Sequence, residues 1–509
     1  MAEEAAGAPA SLASCLGACA CCALRLEGCL DPARYIAAGA AAAKASASTD
    51  DACGLCLGLL ERCAAHCAAL CTKLEDSGFE GKECFLSVSL PVLCVFRQQL
   101  LLARLRAAEG GLDAARCVEL GDALRGLLRE SLDSLGLVAV AVTSDAPATG
   151  TPAIRVAALG EYNGPAAAVL SCIEQRGQGG GRKRRKVEAG AQPQQGASAA
   201  AVLDALAGRS AEACLAVAGG DSLEKHLQRV PGQGASLSLD VGRDGIHFSG
   251  RYVKMSRRLP QSPWFIDGER KGESSVEELI TGPAAKLFGA GECRFHAEGR
   301  EDMDVRMLGG GRPFVIEVRG ARRCSPSAAE LEAAVNSSSG GDVLVRRVQR
   351  CSQSAMAALQ RDAENHRKTY VCVCWSSRPL SKDDLAKLAD VRDLEILQKT
   401  PVRVLHRRAP AVRPRTLHWL EAELINSHYF RLRLSTQAGM YIKEFVHGDL
   451  GRTRPSMRSL LSSRTEILQL DVEGLEDEAV EPAAEAAPDA SAVEAPVVVS
   501  APSETADSA

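Results

Sequence analysis

Gly299-Arg300-Glu301-Asp302-Met303-Asp304-Val305-Arg306-Met307-Leu308-Gly309-Gly310-Gly311-Arg312-Pro313-Phe314 is the stretch on which the reading of this chain turns. Acids alternate with arginines, and glycines lie beside them. The apolar segment Pro313-Phe314-Val315-Ile316-Glu317-Val318 predicts a buried strand, and the charged stretch reads as a loop between two strands. Such a loop can hold a carboxylate beside a cation that keeps it ionised. Two other readings share the pattern. One is a charged connecting loop without chemistry. The other is an acidic metal site, which the interleaved arginines disfavour.

The segments around it alternate in type. Upstream, Ser236-Leu237-Ser238-Leu239-Asp240-Val241 alternates like a strand, and Gly245 to Met255 does so less regularly. Ser274 with Glu277 has capping-box spacing before an apolar helical run to Phe288. Downstream come a helix from Ser327, a strand near Val343, a helix to about Glu364 and the strand Tyr370 to Trp375. Ser381 with Asp384 opens another helix; Val402 to Leu405, Tyr429 to Leu434 and Ile467 to Val472 read as strands. Interleaved elements of this kind predict one sizeable α/β or α+β domain over 236–476.

Thr436 to Asp449 forms a second constellation: a strand ends at Gly439, and a short helix begins near Lys443. Lys443 there can reach back to a carboxylate; an ordinary strand–turn–helix with a surface Lys fits the same residues.

The chain has 509 residues, room for about three domains. Residues 1–135 read as mostly helical, with Phe96, Leu100, Leu101 and Leu105, then Leu124, Leu127, Leu128 and Leu132, at helical spacing. Residues 136–235 complete an N-terminal part. It is interrupted by the low-complexity segment 177–198, which contains the basic run Arg182 to Val187. That run fits a nuclear localisation signal, a nucleic-acid contact or a solvated linker. Residues 477–509 are rich in Ala, Pro, Glu and Ser and lack Lys and Arg, and they read as a disordered acidic tail. Net charge is only -4, but Pro401 to Leu470 carries twelve Lys/Arg against five Asp/Glu. That local excess points to a polyanionic partner.

Thirteen of the twenty cysteines fall between Cys15 and Cys117. The N-terminus is acidic, without the features of a secretory or transit peptide, so a reducing compartment is expected and a disulfide scaffold is not. The longest runs without polar residues fall short of the about 20 residues a membrane helix needs. Cys19/Cys22 and Cys53/Cys56 are two Cys-x-x-Cys pairs, and two pairs complete a tetrahedral S₄ zinc site. Cys15, Cys21, Cys29, Cys63 and Cys67 are rival ligands, and buried free cysteines are the other reading.

Together these segments resemble the archaeal and eukaryotic tRNA pseudouridine synthases that act on the T arm. The resemblance rests on Leu259 to Trp264 with Ile266 to Arg270, Ser274 to Ile280, Gly299 to Phe314, Gln398 to Arg408, and Thr436 to Thr453. It spans roughly Asp240 to Val472. It is weaker in the N-terminal part, through Cys19-x-x-Cys22 with Arg25 and Cys53-x-x-Cys56-Leu57-Gly58.

The resemblance implies an α+β fold: a catalytic domain on a mixed, largely antiparallel sheet, and an N-terminal α/β accessory domain with a THUMP-like part. It implies isomerisation of uridine to pseudouridine at position 54, 55 or both of tRNA, without metal or nucleotide cofactor in the chemistry. The family's catalytic Asp follows Gly-Arg-x, which makes it Asp302, with Asp304 as the alternative on the same face. Tyr370 matches the active-site aromatic, and Lys443 the basic residue that pairs with the Asp. Met440 departs from the pattern, where a small residue is usual.

Arg403, His406, Arg407, Arg408, Arg413 and Arg415 lie on an expected hairpin that suits tRNA phosphates. The expected compartment is the nucleus, the cytoplasm or both. A non-catalytic RNA-binding or regulatory protein that keeps the fold is the alternative; the presence of Asp302, Tyr370 and Lys443 argues against it. A zinc base deaminase fits less well, because His296-Ala297-Glu298 lacks the accompanying Pro-Cys-x-x-Cys.

Overall fold

The computed structural model describes residues 17–45, 51–107, 116–140, 153–162, 227–232, 234–362, 367–406 and 408–475. It divides into two units, Met1–Met303 with Arg312–Gln360, and Asp304–Gly311 with Arg361–Ala509. The basic run 182–187 and the tail 477–509 lie outside the described residues.

Among the described residues, the first unit opens with helices α1 (Ala20–Leu26), α2 (Pro32–Ala45) and α3 (Cys63–Ser77). Then come strand β1 (Glu83–Ser89) and helices α4 (Val92–Ala107) and α5 (Leu120–Ser134). The leucine spacing of α5 has its expected result: Leu120, Leu124, Leu127, Leu128 and Leu132 form one buried face. Strands β2 (Val138–Val140), β3 (Ile154–Glu161) and β4 (Ser236–Arg243) follow, in the sheet order β2-β1-β3-β4. β1 runs parallel to β2 and β3, while β4 is antiparallel to β3, with Ala157 opposite Asp240. The alternation in Ser236 to Val241 therefore does make a strand, but on the N-terminal sheet. A domain boundary placed before residue 236 cuts that sheet, because only tertiary pairing shows which edge a strand joins.

The same unit continues with β5 (Ile246–Lys254), the small hairpin β6 (Phe265–Ile266) and β7 (Glu269–Arg270), helix α6 (Val276–Phe288), β8 (Glu292–Ala297) and the part of strand β9 (Val305–Arg319) from Arg312 onward. Helix α7 (Ala328–Ser338), strand β10 (Val343–Cys351) and helix α8 (Ser354–Asp362) complete it. β10 pairs antiparallel with β5, and β8 with the second half of β9. The cap of α6 is Ser275, whose hydroxyl accepts from Glu278 N–H at 3.2 Å, one residue later than the spacing of Ser274 and Glu277 suggests. The buried stripe Val276, Ile280, Ala284 and Phe288 sets that phase. The helix expected from Ser327 forms, and a capping box of Ser327 and Glu330 opens it.

In the second unit, β9 begins the sheet order β9-β16-β11-β14-β13-β12-β15. These strands are β11 (Lys368–Ser376), β12 (Arg392–Lys399), β13 (Val412–Leu424), β14 (Tyr429–Thr436), β15 (Thr453–Arg454) and β16 (Thr465–Leu475). Val305, Arg306 and Met307 pair parallel with Leu470, Asp471 and Val472; every other ladder here is antiparallel. The sheet is thus mixed and largely antiparallel. Helices α9 (Lys382–Ala386, capped by the Ser381/Asp384 box), α10 (Ile442–His447) and α11 (Met457–Leu460) connect its strands.

Two local expectations change. Val402–Val404 is a 3₁₀ turn and not a strand: Pro401 (φ -56) has no N–H to donate, and the β12 ladder stops at Lys399. In the opening stretch only the residues before Val305 are loop, and the rest is strand. Gly309 is needed there. It has φ +58, and a Cβ would stand 1.8 Å from the Glu473 carbonyl oxygen. No described helix is long and apolar enough to cross a membrane.

Candidate active site and cysteine centre

In the first unit the loop 298–303 is fastened residue by residue. Gln261 Nε2 donates to Gly299 O at 2.9 Å and to Tyr252 OH at 2.7 Å. Tyr252 OH lies 2.9 Å from both oxygens of Glu301. Arg312 donates through Nε to Glu301 Oε2 at 2.8 Å and through Nη1 to Glu298 O at 2.5 Å. Lys254 Nζ donates to the carbonyls of Leu259, Asp302 and Met303 at 2.7, 3.1 and 2.9 Å.

All five of these side chains are buried, and Lys254 completely. Burial and the neighbouring Glu301 carboxylate push the Tyr252 phenol well above its ordinary pKa, so it stays a donor. The backbone carrying Asp302 is therefore fixed from the protein interior. Sequence reading missed Tyr252, Lys254 and Arg312 as parts of the site. Their signal, a Tyr-x-Lys on a strand, is too common to single out.

In the second unit Lys443 stands at the start of α10, behind the turn at Gly439 (φ +79). Its Nζ donates to both oxygens of Asp304 at 2.8 Å. Asp304 lies two residues after Asp302, the partner the sequence pointed to. Arg306 makes a two-point bond to Asp471, with Nε to Oδ1 at 3.0 Å and Nη2 to Oδ2 at 2.6 Å. These residues are register partners on β9 and β16, so the ion pair fastens the parallel pairing.

Gln398 holds the residue that caps α10. Its Nε2 donates to Tyr441 O at 2.9 Å, and Tyr441 N–H donates to its Oε1 at 2.8 Å. Met440 is accommodated by burial. Tyr370 is buried on β11, opposite Leu434 and Val472, on the same face as Cys372 and Cys374.

The basic residues do not form one uniform surface. Arg403 pairs at 2.8 Å with the buried carboxylate of Glu444. Arg413 Nη1 donates to Thr400 Oγ1 at 2.8 Å. Arg413 and Arg415 face Gln398 and Ile396 across the β12–β13 ladder, and both of these are buried. His406 and Arg408 are exposed, and Arg408 Nη1 donates to Tyr441 OH at 3.1 Å. Arg407 lies outside the described residues.

In the N-terminal part Cys19, Cys22, Cys53 and Cys56 converge. Their sulfurs lie within 4.8 Å of one another, all buried, in an arrangement able to hold a metal ion. The Cys19 and Cys56 sulfurs are 3.8 Å apart. Cys19 N–H points at Cys53 Sγ (3.3 Å) and Cys22 N–H at Cys19 Sγ (3.4 Å). Arg25 Nη1 reaches Cys22 Sγ at 3.6 Å while Nε holds Val118 O at 3.0 Å. Of the described rivals, Cys63 reaches Tyr35 O, Cys67 Leu127 O and Cys29 Asp31 O, while Cys21 reaches Tyr35 O and also lies beside Cys19. Cys15 lies outside the described residues.

Residues 247–476 match the profile of the family described as Pus10, C-terminal. Over 245 residues the chain is 46% identical to a human protein named tRNA pseudouridine synthase Pus10, covering 48% of this chain and 46% of that one. An Archaeoglobus fulgidus protein of the same name is 40% identical over 242 residues, covering 45% of this chain and 66% of that one. The chain thus spans about half the length of the human relative it matches. Among solved structures, a Cbf5-Nop10-Gar1 complex aligns at 14% identity with a TM-score of 0.26, covering 44% of this chain and 48% of that one, too low to carry an argument. These comparisons show that residues 247–476 of this chain, which carry the fastened Gly-Arg-Glu-Asp loop and the Tyr-Ile-Lys helix start, are similar to the C-terminal region of proteins named tRNA pseudouridine synthase Pus10.

Proposed function

We propose that this chain is a tRNA pseudouridine synthase that isomerises uridine at position 54, 55 or both of the T arm. The observation that carries the reading is the loop Glu298–Met303, pinned by four buried side chains, Tyr252, Lys254, Gln261 and Arg312, within the region that matches the Pus10 relatives. Asp302 is the nucleophile. The N1–C1′ bond of uridine breaks, the detached uracil turns, and a C5–C1′ bond forms; the C5 proton is lost and N1 gains one. Tyr370 stacks on the base and assists removal of the C5 proton. Lys443, held on Asp304 two residues along the chain, supplies positive charge for the ionised nucleophile. No nucleotide cofactor takes part.

Arg403, His406, Arg407, Arg408, Arg413 and Arg415 contact tRNA phosphates. The four cysteines hold a structural zinc. A Zn–S distance of about 2.3 Å in a tetrahedron puts sulfurs roughly 3.8 Å apart, which suits the Cys19–Cys56 separation. The N-terminal sheet and helices serve as a THUMP-like RNA-binding part, and the chain works in the nucleus, the cytoplasm or both.

The test is pseudouridine mapping on a T-arm transcript. Asp302→Asn abolishes the modification while RNA affinity stays within a few-fold. Full modification by the purified variant would remove Asp302 from the chemistry.

A further inference from the structure

Glu301, next to Asp302, is an acid in the protein interior, 5% exposed. A buried carboxylate is costly, and a neutral pair of the same shape would support the fold at least as well. Its partner Arg312 is 4% exposed and uses two donors at once, Nε on the Glu301 carboxylate and Nη1 on the Glu298 carbonyl. These two attachment points flank the Gly299-Arg300 turn. Gly299 has φ +80, a conformation of low intrinsic rigidity, so the turn is defined by what grips its two sides. Tyr252 OH covers Glu301 from the other side at 2.9 Å, and Gln261 ties Tyr252 to Gly299 O.

We propose that Arg312 is a positioning residue: its planar fork, closed on Glu301 and Glu298, sets the geometry of the turn that presents Asp302. This rests on the reading of Asp302 as nucleophile. A fork is required because one guanidinium spans two acceptors in a fixed plane, and an ammonium does not. Placement errors of about 1 Å at a reacting group can cost a hundredfold in rate. A lost fork therefore shows in the chemical step before it shows in RNA binding.

The test compares the full chain with Arg312→Lys and with the double variant Glu301→Gln/Arg312→Gln. Both avoid an uncompensated buried carboxylate, so both fold. Single-turnover rate at saturating enzyme and RNA affinity are measured on a T-arm transcript, beside Asp302→Asn. The expected result is a rate at least tenfold lower in both Arg312 variants, with affinity within threefold and unchanged thermal unfolding. A wild-type rate in the folded double variant overturns the proposal. So does a loss of affinity that matches the loss of rate. Activity in Asp302→Asn instead overturns the reading of the nucleophile, and the two failures are separable.

Discussion

Lys443 Nζ sits 2.8 Å from both oxygens of Asp304, an even two-point grip on a carboxylate that is itself 63% exposed. An ion pair this open contributes only about 0–1 kcal/mol to stability, so its importance lies in where it puts the ammonium. Lys443→Met is expected to slow single-turnover isomerisation by roughly thirtyfold, which is about 2 kcal/mol of barrier. Asp304→Asn, which frees the ammonium without removing it, should slow it by only about threefold to tenfold. Unchanged rates in both variants with weaker tRNA binding would make Lys443 a phosphate contact.

The four converging cysteines predict one zinc per chain in protein purified without chelator, by elemental analysis. Cys53→Ser should lower occupancy, while Cys21→Ser, whose sulfur reaches Tyr35 O, should not. Metal removal should unfold the N-terminal part, because a thiolate site gives its binding energy to the fold. Full occupancy in a Cys22→Ser/Cys56→Ser variant would place the metal elsewhere.

Gln398 is 1% exposed and satisfies both the N–H and the C=O of Tyr441. Gln398→Ala leaves those groups without partners and should cost about 1–3 kcal/mol in urea unfolding. Gln398→Glu keeps the acceptor and loses the donor, and should fall between. A cost for the alanine variant below about 0.5 kcal/mol would mean that water replaces the side chain.

His66 is held neutral in the fold: burial, with Arg62 nearby, lowers its pKa to about 4. Its buried Nε2 has no partner. Below about pH 6.5 the unfolded chain takes up a proton that the folded chain refuses until near pH 4. Stability therefore falls on acidification across that window. His66→Gln should remove on the order of 1 kcal/mol of the loss between pH 7 and pH 5, read from thermal unfolding at both values. An equal acid-side loss in the variant would assign it to other groups.

Much of this was legible in the chain itself. The strand over Pro313–Val318, the capped helices at Ser327 and Ser381 and the buried leucine face of α5 follow from local periodicity and hydrogen-bonding chemistry. The Gly-Arg-Glu-Asp loop and the Tyr-Ile-Lys helix start are singled out by the family resemblance, since charge and spacing alone also fit ordinary connections. Three-dimensional packing decided the rest. Which of the rival cysteines converge depends on bringing Cys19 and Cys56, 37 residues apart, within 3.8 Å. That Ser236–Arg243 joins the N-terminal sheet depends on the open edge of β3. That Lys443 meets Asp304 depends on a contact 139 residues apart in sequence. Local propensity reaches only a few residues, whereas these partners are chosen by which buried faces and unpaired backbone edges the whole chain has left to satisfy.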